Sequence, residues 1–106
     1  MITLSTHVLD IELGRPASGV PVSVFQGAHR LAHSRTNVDG RIAELAMLEP
    51  GTYRIEFDAA AYFAHDLREA PFIQSVSIEF AVTGSVRHYH VPLLLSPYAC
   101  TSYRGS

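Results

Sequence analysis

Alternation of apolar and polar residues with a period of two runs through most of the sequence, and it constrains the fold more than any other feature. In the clearest stretch every second residue is apolar: Val76, Ile78, Phe80 and Val82. Such alternation is typical of β-strands that bury one face. Turn-forming sequences separate further predicted strands at residues 2–10, 20–25, 53–57, 86–95 and 98–104, with a weaker strand at 31–36. The pattern of residues 41–48 is ambiguous, and we interpret this segment as a short strand. Seven or eight short strands at these intervals predict an all-β protein, with a β-sandwich as its natural architecture.

One segment interrupts the strand pattern. Asp58 precedes three consecutive alanines, and the segment continues to Ala64. Aspartate can cap the first turn of a helix and alanine has the highest helix propensity, so we expect one short helix here. The chain has 106 residues, close to the commonest domain size, and it contains no linker or convincing repeat. We therefore expect residues 1–106 to form a single domain.

The charged residues exclude several classes of function. Eight basic and ten acidic residues give a net charge of −2, whereas broad binding of nucleic acids needs a basic face. All eight basic residues are arginine, which excludes a lysine Schiff base or a lysine general base. One cysteine allows no internal disulfide, and no apolar run approaches the roughly 18 residues of a membrane helix. With no export signal visible, we expect a cytoplasmic protein without a membrane partner.

The strand predicted at 86–95 carries apolar residues on both of its faces. One face suits the core and consists of Tyr89, Val91, Leu93 and Leu95. The opposite face consists of His88, His90, Pro92 and Leu94. The first strand similarly places His7 beside Leu9 on its non-core face. Apolar residues on outward faces indicate a subunit interface, and the histidines among them indicate a polar site set into it.

Three motifs follow one another along the chain. Residues 4–10 read Leu-Ser-Thr-His-Val-Leu-Asp, followed by Gly-Arg-Pro-Ala at 14–17. Residues 88–97 read His-Tyr-His-Val-Pro-Leu-Leu-Leu-Ser-Pro, and residues 103–106 read Tyr-Arg-Gly-Ser. Together they resemble the transthyretin-related proteins. The final tetrapeptide, with Thr-Asn-Val-Asp-Gly-Arg at 36–41, resembles the 5-hydroxyisourate hydrolases rather than transthyretin, the hormone carrier.

This resemblance implies a fold, an assembly and a reaction. The fold would be a transthyretin-like (prealbumin-like) β-sandwich of two four-stranded sheets. The assembly would be a homotetramer, a dimer of dimers, with active sites where the dimers meet. The reaction would be hydrolysis of the cyclic amide of 5-hydroxyisourate to 2-oxo-4-hydroxy-4-carboxy-5-ureidoimidazoline, a step of urate degradation. The resemblance implies neither a cofactor nor a metal.

The same resemblance implies three catalytic side chains in the body of the domain. His7 and His90 would face each other across the cleft, where one imidazole takes a proton from water and the other orients water or donates a proton. Which of the two is the base stays open. Arg41 would offer its permanently charged, planar guanidinium to a carbonyl and a ring nitrogen of the substrate.

The C-terminal tetrapeptide supplies the other candidates. Ser106 brings a hydroxyl and a terminal carboxylate, and we expect it among the catalytic residues. Whether it polarises water or only binds substrate stays open. Tyr103, Arg104 and Gly105 are expected to bind substrate, with Tyr103 walling the pocket and Gly105 permitting close approach of the backbone.

Other interpretations compete with this one. His7, His88 and His90 have a spacing that could hold zinc, although the resemblance implies no metal. The first alternative function is a non-catalytic small-ligand carrier of the transthyretin type, which needs an open channel without bases. The second is a monomeric β-sandwich interaction module. Cys100 stands where the family commonly has an aromatic residue, and we expect it to pack rather than to act as a nucleophile.

Overall fold

The computed structural model describes residues 1–106, which form nine strands in two sheets and one short helix. The strands are β1 (Ile2–Asp10), β2 (Arg15–Pro16), β3 (Pro21–Gln26), β4 (His29–Arg35), β5 (Arg41–Leu48), β6 (Gly51–Phe57), β7 (Val76–Val82), β8 (His88–Leu95) and β9 (Cys100–Ser102). The helix α1 spans Ala59–His65. The predicted all-β fold with one short helix is confirmed.

Strand β1 is central to a five-stranded sheet. It pairs in parallel with β8 along one edge, while β2 and β5 share its other edge and β9 extends the sheet beyond β8. The second sheet has the order β4–β3–β6–β7 and is antiparallel throughout. The prediction of two four-stranded sheets therefore needs one correction. The fifth strand is β2, which lies in a segment predicted as a turn and pairs with Leu9 and Asp10.

The two sheets contribute to one apolar core of 21 buried residues. The core face predicted for β8 is confirmed, because Tyr89, Val91, Leu93 and Leu95 are all buried. Leu4 and Val8 of β1 are buried as well. Removal of this apolar surface from water is the main favourable contribution to folding. Because these faces of β1 and β8 are buried, the alternate residues of both strands lie on the outer face of the five-stranded sheet.

The helix α1 begins where the sequence predicts. The side chain of Asp58 accepts a hydrogen bond from the backbone N–H of Ala61 at 3.0 Å and so caps the first turn. Tyr62 and Phe63 are buried and attach the helix to the core. The helix has seven residues, and the chain contains no helix long and apolar enough to cross a membrane.

Asp10, at the end of β1, is the only buried carboxylate. It accepts hydrogen bonds from the Tyr62 hydroxyl at 2.7 Å and from the backbone N–H groups of Glu12 and Leu13 at 3.1 and 3.0 Å. It also forms an ion pair with Arg68. Burial by itself raises the pKa of this carboxyl, but hydrogen bonds from Arg68, Tyr62 and Leu13 outweigh burial and hold the pKa of Asp10 below its ordinary value. The network ties α1 to the end of β1.

Replacing Asp10 by asparagine should lower the free energy of unfolding by about 3 kcal/mol at neutral pH, because Arg68 loses its buried counter-charge. A carboxyl whose pKa is lowered by folding stabilises the native state above its unfolded pKa. That stabilisation is lost as pH falls through the folded pKa. The wild type should therefore lose more stability than the Asp10→Asn variant between neutral pH and about pH 3. Urea denaturation at both pH values measures this, and equal losses would contradict the account.

Candidate active site

A polar depression of about 340 Å³ lies on the outer face of the five-stranded sheet. Residues of three neighbouring strands and the C-terminus form its walls: Ser5, Thr6, Arg41, Ala43, His88, His90 and Ser106. The strand register explains why they meet. Ser5 lies opposite His90 across the β1–β8 pairing, and His7 lies opposite Arg41 across the β1–β5 pairing. Predicted site residues that are far apart in sequence are thereby brought to one place.

The turn before β5 determines where Arg41 lies. The side-chain oxygen of Asn37 accepts hydrogen bonds from the backbone N–H groups of Asp39 and Arg41 at 2.9 and 3.0 Å. Gly40 has a φ of +74°, and a Cβ at this position would lie 2.4 Å from the carbonyl oxygen of Val8. Only glycine fits this backbone conformation and this close approach. The Asp-Gly turn therefore brings Arg41 beside β1.

The C-terminal segment is tied to the site through Gly105. Its backbone N–H donates to the carbonyl oxygen of His90 at 2.7 Å. A Cβ on Gly105 would lie 2.6 Å from Cδ2 of His90, so the backbone rests directly against the imidazole. This contact brings Ser106 to the edge of the depression.

The other two residues of the tetrapeptide lie elsewhere. Tyr103 and Arg104 line a separate cavity of about 280 Å³, together with Ile78, Phe80, Ala81, Tyr89, Val91 and Ser102. The guanidinium carbon of Arg104 lies 4.9 Å from the centre of the Tyr89 ring, a cation–π contact. The structure therefore brings together His7, Arg41, His90, Gly105 and Ser106, whereas Tyr103 and Arg104 are not brought to the depression within one chain.

The surroundings of His7 and His90 favour the neutral form of both imidazoles. Burial lowers the pKa of His7, and the charge of Arg41 lowers it further, although Asp39 opposes the change in part. Burial also lowers the pKa of His90, with additional contributions from Arg41, His7 and His88. A neutral imidazole has a free nitrogen lone pair and can accept a proton. Arg41 therefore favours the protonation state that a general base requires.

Sequence reasoning missed a polar connection beside the site. The Ser5 hydroxyl lies 2.8 Å from Nε2 of His88 and 2.7 Å from Nδ1 of His90. The Thr3 hydroxyl makes a further hydrogen bond with Nδ1 of His88. Alternation along the first strand does place Thr3, Ser5 and His7 on one face. The register that sets Ser5 opposite His90 could not be predicted from either strand alone.

These contacts also bear on the zinc interpretation of the histidines. Both ring nitrogens of His88 are engaged by hydroxyl groups. No group of three or more His, Cys, Asp or Glu side chains is arranged to hold a metal ion.

Cys100 is exposed, so the expectation that it packs was wrong. Cys100 lies in β9 and pairs with Leu95 of β8. Strand β9 has three residues and forms the edge of the sheet, with no strand paired to its other side.

The depression and the adjoining His7, which pairs with Arg41, together provide the groups that hydrolysis of an amide needs. Two neutral imidazoles can move protons, a guanidinium can stabilise negative charge on oxygen, and the chain terminus supplies further polar atoms. The space is within the range of small-molecule sites. The fold and the site thus define a two-sheet β-sandwich protein with a His–Arg site on an outer sheet face.

More particularly, the chain belongs to the HIUase/Transthyretin family, whose sequence model matches residues 4–105. The 5-hydroxyisourate hydrolase of Caulobacter vibrioides is 42% identical over 115 aligned positions that cover 100% of both chains. The structure of Klebsiella pneumoniae 5-hydroxyisourate hydrolase matches with a TM-score of 0.91 and 42% identity over 100% of both chains. Sea bream transthyretin in complex with thyroxine matches with a TM-score of 0.88 and 29% identity, covering 97% of this chain and 94% of that one. The resemblance inferred from the three motifs is confirmed.

Replacing Arg41 by glutamine should raise the pKa of both His7 and His90, because the guanidinium charge that disfavours the imidazolium form is removed. An NMR titration of the histidine ring protons measures both values. Arg30→Gln is the matched control, since Arg30 is exposed on β4 of the other sheet. Unchanged pKa values in the Arg41 variant would show that the guanidinium is not oriented toward the imidazoles.

Proposed function

We propose that this chain hydrolyses 5-hydroxyisourate to 2-oxo-4-hydroxy-4-carboxy-5-ureidoimidazoline, a step in the degradation of urate. The Caulobacter vibrioides and Klebsiella pneumoniae relatives carry the name of this activity. The observation that carries the proposal is the convergence of His90, Arg41 and Ser106 in one depression, with His7 paired to Arg41. Two proton carriers and a fixed cation suit a reaction in which water opens a cyclic amide.

The proposed mechanism uses each group for a separate task. One imidazole of the His7–His90 pair takes a proton from water as the oxygen attacks the ring carbonyl. Arg41 stabilises the negative charge that develops on the carbonyl oxygen. The carbon–nitrogen bond of the ring then breaks, and the proton held by the imidazolium passes to the departing nitrogen, directly or by exchange through the other imidazole. The carbonyl carbon becomes a carboxyl group, which releases its proton to solvent as it ionises to the carboxylate. One water is consumed in each turnover.

The C-terminal residues have different parts in this proposal. Ser106 would hold substrate or water through its hydroxyl or its terminal carboxylate, because it lines the depression. Gly105 would set the position of His90 through its backbone contacts. Arg104, which stacks on Tyr89 of β8, and Tyr103 would hold the tail in place. Direct substrate binding by Tyr103 or Arg104 has no support from their positions in a single chain.

We extend the proposal to a homotetramer, a dimer of dimers in which the outer sheet faces of two dimers meet over the sites. Leu9 and Leu94 are only partly buried on this face, and Met47 of β5 is 54% exposed. Apolar side chains around a polar depression favour contact with a second copy. Such contact would exclude bulk water and strengthen the electrostatic effect of Arg41. A single cysteine without a disulfide fits a reducing cytoplasmic location.

A small-ligand carrier of the transthyretin type is the alternative, favoured by the structural match to sea bream transthyretin. A carrier binds its ligand unchanged and has no use for two imidazoles whose pKa values are lowered. The two imidazoles, His90 in the depression and His7 beside it, therefore favour hydrolysis.

The test is the decay of freshly prepared 5-hydroxyisourate, made from urate with urate oxidase and followed by ultraviolet absorbance. The wild type should accelerate the decay well beyond the spontaneous rate. The His90→Ala variant should be slower by about 10²–10⁴-fold, the usual contribution of a general acid or base. His33→Ala, on exposed β4, is the control and should match the wild type. A folded wild type that leaves the decay unchanged would favour the carrier.

Replacing Gly105 by alanine should lower kcat by about tenfold to a hundredfold, because small displacements of a catalytic group are costly. The added methyl would lie 2.6 Å from Cδ2 of His90, so the imidazole and the tail would have to shift relative to each other. Gly84→Ala is the matched control, since a Cβ there has its nearest neighbour, Cγ of Pro50, at 3.9 Å. Equal kcat values for the two variants would refute the positioning role of the tail.

A further inference from the structure

A line of hydrogen bonds runs from His90 through Ser5 and His88, which also line the depression, to Thr3 on the outer face of β1 and β8. Nδ1 of His90 contacts the Ser5 hydroxyl at 2.7 Å, and the same hydroxyl contacts Nε2 of His88 at 2.8 Å. Nδ1 of His88 in turn contacts the Thr3 hydroxyl. The Thr3 hydroxyl also lies 3.4 Å from the carbonyl oxygen of Arg87, to which it donates. Ser5 is 8% exposed, so its hydroxyl has little access to solvent as an alternative partner.

The number of protons available along this line restricts which atom can donate in each hydrogen bond. Each hydroxyl has one proton, and each neutral imidazole has one N–H and one bare nitrogen. A carbonyl oxygen can only accept, so the Thr3 proton is used toward Arg87. Thr3 must then accept from Nδ1–H of His88, which leaves Nε2 of His88 bare. Ser5 donates to that nitrogen and accepts from Nδ1–H of His90.

When the hydrogen bonds point in this direction, His90 has its proton on Nδ1 and its lone pair on Nε2. In the opposite direction, Ser5 would donate to Nδ1 of His90 and the proton of that ring would lie on Nε2. That arrangement also satisfies the hydroxyl–imidazole contacts, but it uses the Thr3 hydroxyl proton on His88 and leaves the Arg87 carbonyl oxygen with one donor, the backbone N–H of Thr3 at 3.0 Å. The second hydrogen bond to the Arg87 carbonyl, from the Thr3 hydroxyl at 3.4 Å, thus favours the first direction.

We propose that Ser5 and His88 are positioning residues that hold His90 in the tautomer with a bare Nε2, ready to take a proton from water. This inference rests on the proposed hydrolysis and assigns the base within the His7–His90 pair. The charged and titratable groups around His90 are His7 on β1, Arg41 on β5, His88 on β8 and the terminal carboxylate of Ser106. None of them contacts Nδ1, where Ser5 is the hydrogen-bond partner.

His88 is exposed, so its side chain can be exchanged without disturbing the core. His88→Glu presents acceptors only and forces Ser5 to donate to it, which preserves the tautomer of His90. His88→Lys presents donors only and forces Ser5 to accept, which reverses the tautomer. The ring nitrogens of His90 report the result directly by long-range ¹H–¹⁵N NMR at about pH 8, where imidazoles are neutral. A salt concentration of about 1 M screens the added charges.

The wild type and His88→Glu should both show a protonated Nδ1 and a bare Nε2 on His90. His88→Lys should show the reverse tautomer, with kcat lower by about tenfold or more and KM little changed. Ser5→Ala should lose the preference between tautomers and also lower kcat. Ser23→Ala is the control, because it removes a similar 2.9 Å contact with His33 on the other sheet.

The proposal is overturned if His90 of the wild type carries its proton on Nε2, or if the Glu and Lys variants have the same tautomer. It is overturned equally if the tautomer reverses in the Lys variant while kcat stays unchanged. A wild type with the expected tautomer but no hydrolysis would support the positioning by Ser5 and His88. It would refute the proposed function alone, so the two failures are distinct.

Discussion

The parallel pairing of β1 with β8 is the contact on which the rest of the structure depends. Eight consecutive residue pairs join the two strands, from Thr3 with His88 to Asp10 with Leu95. Because side chains alternate across a sheet, this one register sends apolar residues to the core and polar residues to the outer face together. A shift by one residue would expose Leu93 and bury His90. The stability of the sandwich and the composition of the site are therefore determined by the same pairing.

Paired strands position two of the candidate site residues, and short segments position the other two. His7 and His90 lie in the middle of paired strands, while Arg41 is placed by a glycine turn and Ser106 by a single backbone hydrogen bond. Gly40 and Gly105 admit only a very small residue, and they determine where Arg41 and Ser106 lie. At the other end of β1, the hydrogen-bond network of the buried Asp10 carboxylate holds the strand against α1. Catalytic geometry of this kind benefits from rigid support on several sides.

Much of this arrangement follows from the sequence. Period-two alternation predicts the strands, the core face of β8 and the outward position of His7 and His90, because burial of one sheet face enforces it. Asp58 and the alanines predict α1. Local pattern could not predict β2, since a pairing of two residues leaves no periodic signal. Nor could it place Ser5 against His90 or separate Arg104 from Ser106, because both depend on register and chain direction in three dimensions.

We propose that the outer face of the five-stranded sheet, rather than the cavity beside Tyr89, binds the substrate. Urate has the same polar, fused-ring framework as 5-hydroxyisourate and can be added to the ¹⁵N-labelled protein as a substrate analogue. The account predicts chemical-shift changes at Ser5, His90 and Gly105 that saturate with urate concentration. Changes confined to Ile78, Phe80 and Arg104, around the other cavity, would contradict it.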